Sequence, residues 1–197
     1  MNLNSTNKVD REKYLNIIMN SSERLSSLIS QLFEFSKLDT QQIQLQKEPF
    51  KIDELLTSSL EEYQVLAKKK GVHLEMDCPE NAPVVYADMF LIERVVQNLL
   101  DNALKFTSEK GMIKVCVKGH NSSVEVSIID SGCGIDKEHQ TKIFNRYEKA
   151  KSSKGAGLGL SIVQKILELH EGAISVKSEL GHGTRFIFSL PTYKAAN

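Results

Sequence analysis

Three absences limit what this 197-residue chain can be. It has no charge excess: 25 Lys and Arg face 25 Asp and Glu, a formal net charge of zero. Without a basic surplus there is no electrostatic case for nucleic acid, and Lys68–Lys70 reads as the basic end of a helix. It has only three cysteines, Cys78, Cys116 and Cys133, and no C-x-x-C pair. That count argues against a disulfide frame or a zinc site and for reduced thiols in a cytosolic setting. No apolar run approaches the ~18 residues of a membrane span, and MNLNSTNKVD has no signal-peptide character. The chain as given is expected to be soluble and cytoplasmic with no membrane contact of its own; membrane attachment of a parent protein stays open. No internal repeat is present.

Helix breakers are also missing early on. Neither Pro nor Gly occurs between Val9 and Pro49, and residues from about Asp10 to Leu38 read as one long helix. Tyr14, Ile18, Ser21, Leu25, Leu28, Leu32 and Phe35 alternate steps of four and three, a heptad seam. Ile17, Ile29 and Phe33 widen it towards the apolar face of a helical bundle. Such a helix needs a partner, because the connection Asp39–Gln42 is too short and polar to favour folding back.

From Ile43 the pattern changes. A strand-like IQLQKEPF leads to a helix near Asp53–Lys70 stopped by Gly71, then an alternating Val72–Met76, the turn CPENAP and a short strand VVYA. A helix follows through Glu93–Thr107, with Asp88 as its expected N-cap. Two strands, Met112–Val117 and Val124–Ile129, flank the turn KGHNSS, Ile143–Tyr147 reads as the end of a short helix, and another helix runs from about Leu158 to His170. Two strands joined at a Gly-x-Gly turn close the chain at Pro191.

Three stretches carry chemistry. In ERVVQNLLDNALKFT, a helix of roughly 100° per residue puts Ile92, Val96, Leu99, Leu100, Ala103 and Leu104 on one face. Asn98, Asn102 and Lys105, at i, i+4 and i+7, share the other. Most such rows are only the wet side of a helix. Two carboxamides and an ammonium in register can also hold a metal-bound polyphosphate, the amide as ligand to a hard cation and the ammonium against phosphate oxygens. The second stretch, IIDSGCGID, sets Asp130 before Gly132 and Gly134, a charged acceptor beside backbone that can approach a ligand closely. In isolation that pattern is common in turns. The third, Gly155, Gly157 and Gly159, opens a helix and aims backbone N–H groups at an anion, in neither the dinucleotide nor the P-loop spacing.

Taken in order, N-L-L-D-N-A-x-K-F-T, D-x-G-x-G-I, I-F-x-R-Y, G-x-G-L-G-L-x-I-V and G-x-G-T-x-F-x-F-x-L-P span about a hundred residues. The series resembles the ATP-binding catalytic domain of sensor histidine kinases, in the ATPase superfamily shared with gyrase and the mismatch-repair proteins. Residues 1–42 resemble the second helix of that family's dimerisation hairpin, and 43–197 the catalytic domain. The resemblance implies an α/β (α+β) two-layer sandwich, a mixed sheet covered on one face by helices and preceded by the long helix. It implies ATP and Mg²⁺ as ligands, with Asn98 on the metal and Asn102 and Lys105 on the phosphates. Phe106 flanks the adenine, and Asp130 reads its amino group, with Gly132, Gly134 and Ile135 in the same box. Phe144 and Tyr147 anchor a short lid, Glu148–Lys154; Lys149 meets the terminal phosphate; and Gly155, Gly157, Leu158, Gly159 and Leu160 form the phosphate loop, with Ala156 where Thr or Ser is frequent. Asn98, Lys105 and Lys149 are the expected catalytic set.

One departure bears on function. The family's phosphoacceptor His is followed by an acidic residue and then Pro, and no such stretch occurs here. His73, His120, His139 and His182 are expected in strands or turns, and His170 is read as structural despite the following Glu171. The expectation is a chain that starts after the phosphoacceptor helix, binds ATP and donates its γ-phosphoryl group to a His on another segment or chain. A response-regulator receiver domain would be a further partner, and self-association would run through residues 10–38. An amide at 98 lacks the basicity to activate water, which favours transfer over hydrolysis. The alternative is a nucleotide-gated interaction module without transfer.

Overall fold

The computed structural model describes residues 3–39, 44–148 and 157–193. The first helix, α1 (Leu3–Asp39), has 37 residues and starts earlier than expected. Its last turn is anchored: Leu38 is wholly buried, and α1 packs against the later helix α5 (Gly159–Leu169). Further back the stripe is bare. Tyr14, Ile17, Ile18, Leu25, Ile29, Leu32 and Phe33 are exposed, Ile18 to 63 %, while Leu28 is half-buried. The side chain of Phe35 lies outside the described residues, as does the connection 40–43.

The strand expected from Ile43 is short, β1 (Glu48–Lys51). Gln46 has no strand neighbour because its N–H goes to the Asp88 carboxylate, 3.0 Å away. Helix α2 (Ile52–Lys70) ends as the sequence predicts, at Gly71 with φ +70, whose N–H returns to the carbonyls of Ala67 and Lys68. The chain continues through β2 (His73–Asp77), β3 (Val84–Ala87), α3 (Met89–Phe106), β4 (Met112–Gly119) and β5 (Ser123–Asp130). A short α4 (Lys137–Gln140), α5, β6 (Ala173–Glu179) and β7 (Gly183–Pro191) complete it.

Five strands form one mixed sheet in the order β2-β4-β5-β7-β6, parallel only between β2 and β4. Alternation decides its two faces. Register lines up Val115, Ile128, Phe186 and Val176 on one face, and Val117, Val126, Phe188 and Ile174 in the next row. Helices α2, α3 and α5 cover that face, burying Leu56, Ile92, Leu99, Leu100, Ile162 and Ile166 completely. The other face carries Glu75, Lys114, Ile129, Arg185 and Lys177 side by side, with Lys114 3.2 Å from both Glu75 and Asp77. The expected two-layer sandwich is what the chain forms. A separate antiparallel ribbon of β1 and β3 joins the sheet through a bridge between Val85 and Thr192.

Two local expectations fail. Ile143–Tyr147 is not a helix end: α4 stops at Gln140, and residues 141–147 run through turns to Tyr147 at φ +63, which a right-handed helix cannot carry. His139 sits in α4 rather than in a strand or turn, its Nδ1 2.6 Å from Asp136, whose side chain caps that helix. Among the described residues no helix is long and apolar enough to cross a membrane.

Candidate functional site

The apolar face of α3 sets the direction of its polar row. Asp88 caps the helix by accepting the N–H of Leu91 at 3.2 Å. Ile92, Val95, Val96, Leu99, Leu100 and Ala103 are buried and Leu104 half-buried, so Asn98, Asn102 and Lys105 leave on the opposite side. Helix α2 holds α3 in that rotation. The Tyr63 hydroxyl donates to the Asp101 carboxylate at 2.8 Å, and burial followed by that carboxylate pushes the phenol pKa up. Lys70 caps the far end of α3 through the carbonyls of Leu104 and Lys105, the latter at 3.3 Å.

Asn98 presents one particular atom. Its Nδ2 donates to the Arg94 carbonyl at 2.8 Å, and a carbonyl can only accept, so the amide orientation is fixed. Oδ1 then faces the start of α5, where a Cβ on Gly159 would lie 2.8 Å from it. With glycine at 159 the amide oxygen can sit against a helix N-terminus without moving, where backbone N–H groups lack intrahelical partners. Leu158 is buried beneath the turn and Leu160 half-buried. Gly157, at φ +73, approaches so closely that a Cβ would lie 2.8 Å from the Glu148 carbonyl, and its own carbonyl accepts the Tyr147 N–H at 2.9 Å. Glu148, which opens the predicted lid, thereby lies against Gly157. Lys149, Gly155, Ala156 and the rest of the lid lie outside the described residues.

Asp130 ends β5 in a buried position. Its carboxylate accepts the Gly132 N–H at 2.8 Å and faces the Thr184 N–H; burial pushes its pKa up, and those two donors restrain the rise. Gly132 lies flat on the end of α3: a Cβ there would fall 2.6 Å from the Phe106 carbonyl. Gly134, at φ +70, meets the β6–β7 hairpin, where a Cβ would fall 2.0 Å from the Glu179 carbonyl. Ile135 donates its N–H to Ser178 Oγ at 2.8 Å. Phe106 is half-buried with the Lys105 ammonium 5.1 Å from its ring centre. Phe144 packs edge-on against Phe186 at 6.4 Å, while the ring of Tyr147 is exposed.

The fold therefore gathers the α3 row, the Asp130 turn and the glycines at the start of α5 at one end of the helix pair. Ser178, Thr184, Gln140, Tyr63 and Lys70 brace this end, and the sequence reading missed them. The G-x-G-T pattern was the one available signal, for Thr184. Among the described residues no three His, Cys, Asp or Glu side chains converge on a metal position. The presented amide oxygen fits a hard cation that takes its remaining ligands from phosphate and water.

The other end of α3 and α5 differs. His170 is buried, its Nε2 accepts the Asp88 N–H at 3.0 Å and its Nδ1 donates to the Ile166 carbonyl at 2.7 Å. Both ring nitrogens are committed in the neutral tautomer.

Comparison with known proteins agrees with the fold. A family model described as histidine kinase-, DNA gyrase B-, and HSP90-like ATPase matches residues 87–194. The adaptive-response sensory kinase SasA of Crocosphaera subtropica is 38 % identical over 174 residues, covering 86 % of this chain and 46 % of its own length. The chain thus spans about half the length of the curated relatives it matches. Among solved structures, full-length ShkA in complex with AMPPNP is 29 % identical with a TM-score of 0.85, over 95 % of this chain and 40 % of that one. Histidine kinase ThkA in complex with response regulator protein TrrA is 31 % identical with a TM-score of 0.76, over 92 % and 51 %.

Proposed function

The chain belongs to the family of histidine kinase-, DNA gyrase B- and HSP90-like ATPases, and from that premise we propose that it is the MgATP-binding catalytic portion of a two-component sensor histidine kinase. It donates the γ-phosphoryl group to a His on a separate segment or chain. The observation that carries this reading is the Asn98 amide oxygen held against Gly159 at the N-terminus of α5. In this reading Asn98 ligates Mg²⁺, and Asn102 and the α5 N–H groups hold phosphate oxygens. Lys105 and Lys149 supply cations, and Asp130 accepts from the adenine amino group. Gly132, Gly134 and Ile135 let the base approach. Bound Mg²⁺ supplies charge neutralisation on the phosphates. Asn98 cannot take a proton from water, so the site positions the γ-phosphoryl group for an acceptor brought to it.

This reading takes the His acceptor from another segment or chain: His170 has both nitrogens committed in the interior, and none of the other four histidines is followed by an acidic residue and then Pro as the family's acceptor is. The bare stripe of α1 supports self-association, with each buried side chain contributing roughly 1.5–3 kcal/mol. The ThkA–TrrA complex supports a receiver domain as a further partner. The test is to mix the chain with γ-labelled ATP, Mg²⁺ and a separate acceptor hairpin. Acid-labile label should appear on the hairpin and not on the chain. Nucleotide binding without any transfer would leave the interaction-module reading instead.

A further inference from the structure

Ser178 lies on β6, outside every stretch that the sequence singled out. We propose that Ser178 is a positioning residue for base recognition, fixing the turn after Asp130 and the start of β7 in one geometry around that carboxylate. The proposal rests on the reading of Asp130 as the group that accepts from the base.

The Ser178 hydroxyl meets three groups. It accepts the Ile135 N–H at 2.8 Å, it lies 2.7 Å from the Gly183 carbonyl, and it lies 3.1 Å from Thr184 Oγ1. Proton counting fixes the direction of each bond. Gly183 can only accept, so the single serine proton goes there, and the Thr184 hydroxyl donates to Ser178. Ile135 closes the glycine turn whose Gly132 N–H binds Asp130 Oδ1. Gly183 and Thr184 lie on the other side, where a Cβ on Gly183 would come within 2.0 Å of the Asp130 carbonyl. One hydroxyl thus ties together both segments that flank the carboxylate. Gln140 reinforces the tie from α4, its Nε2 donating to the Ile135 carbonyl at 2.8 Å and the Ser178 carbonyl at 2.9 Å.

Without the hydroxyl, the Ile135 N–H and the Gly183 carbonyl lose their partner and the turn can shift relative to β7. A shifted carboxylate loses its alignment with an exocyclic amine, whereas phosphate contacts on α3 and α5 stay in place. Inosine triphosphate carries an oxo group where ATP has the amine, so the pair of ligands isolates base reading. By calorimetry the unmodified chain should prefer ATP. Ser178→Ala should weaken ATP binding about three- to tenfold, the scale of one or two hydrogen bonds, and leave inosine triphosphate within about twofold. Ser178→Thr, which keeps the hydroxyl, should retain most of the preference. Equal weakening of both nucleotides, or no change in either, overturns the proposal. If the unmodified chain does not distinguish the two nucleotides, the reading of Asp130 fails and the proposal falls with it. Should Ser178→Ala not fold, Ser178→Cys replaces the hydroxyl with a thiol, a weak donor and acceptor; a fall in the ATP preference supports the proposal and an unchanged preference overturns it.

Discussion

The two ends of the α3–α5 pair use polar groups in opposite ways. At the Asp88 end they satisfy one another. One Asp88 oxygen caps α3, the other accepts the Gln46 N–H, and the Asp88 N–H goes to a histidine whose second nitrogen holds Ile166. At the Asn98 end, the amide nitrogen is tied back so that the oxygen faces the start of α5, where Gly159 carries no side chain against it. The same helix pair is closed by mutual polar pairing at one end and presents a fixed amide oxygen to the start of α5 at the other. Buried polar groups paired with each other rigidify a fold, while groups aimed into a gap are positioned for a ligand.

The comparison is broken most severely at the Asp88 end. His170→Ala leaves the Asp88 N–H and the Ile166 carbonyl unpaired around a cavity and should cost about 2–4 kcal/mol of stability. ATP affinity should stay within about threefold. Denaturant unfolding alongside ATP titration checks both. A large loss of affinity with little loss of stability would show that the ends are not separable.

Acid gives a smaller effect of known sign. Burial, the largest influence, lowers the His170 pKa; the Ile166 hydrogen bond raises it, nearby Lys47 lowers it and Asp88 raises it. The unfolded chain takes up a proton below the ordinary value near 6.5, and the folded chain resists. Stability from this group is therefore full above that value and falls as pH drops towards the lowered one, with a slope of at most about 1.4 kcal/mol per pH unit. His170→Gln should remove that part of the slope, as measured by denaturant midpoints across pH 5–7 (the window below ~6.5). A slope unchanged by the substitution would assign acid sensitivity to other groups.

Much of the Asn98 end was legible because it is local. The period of α3 put Ile92, Val96, Leu99, Leu100 and Ala103 inside, and Asp88 caps the helix as its side-chain type suggests. The sandwich followed from the ordered boxes. Less visible were features set by distant chain segments. The parallel β2–β4 pairing, the Gln46–Asp88 bond across 42 residues and the Ser178 tie across 43 leave no periodic trace. The turn to Tyr147 was misread as helix because its end is set by a distant segment, Tyr147 standing at φ +63 with its N–H going to the Gly157 carbonyl. The stripe of α1 was read as needing a partner; among its described side chains Tyr14, Ile17, Ile18, Leu25, Ile29, Leu32 and Phe33 are bare and Leu28 is half-buried.

The central claim is that the Asn98 oxygen serves a metal-bound nucleotide and not the fold. Calorimetric titration of Asn98→Ala with ATP, with and without Mg²⁺, tests it most directly. Mg²⁺ should tighten ATP binding to the unmodified chain. The variant should lose that gain, on the order of tenfold, keep its Mg²⁺-free affinity, and melt within about 2–4 °C of the unmodified chain. A variant that keeps the full Mg²⁺ gain, or one that unfolds, would contradict it.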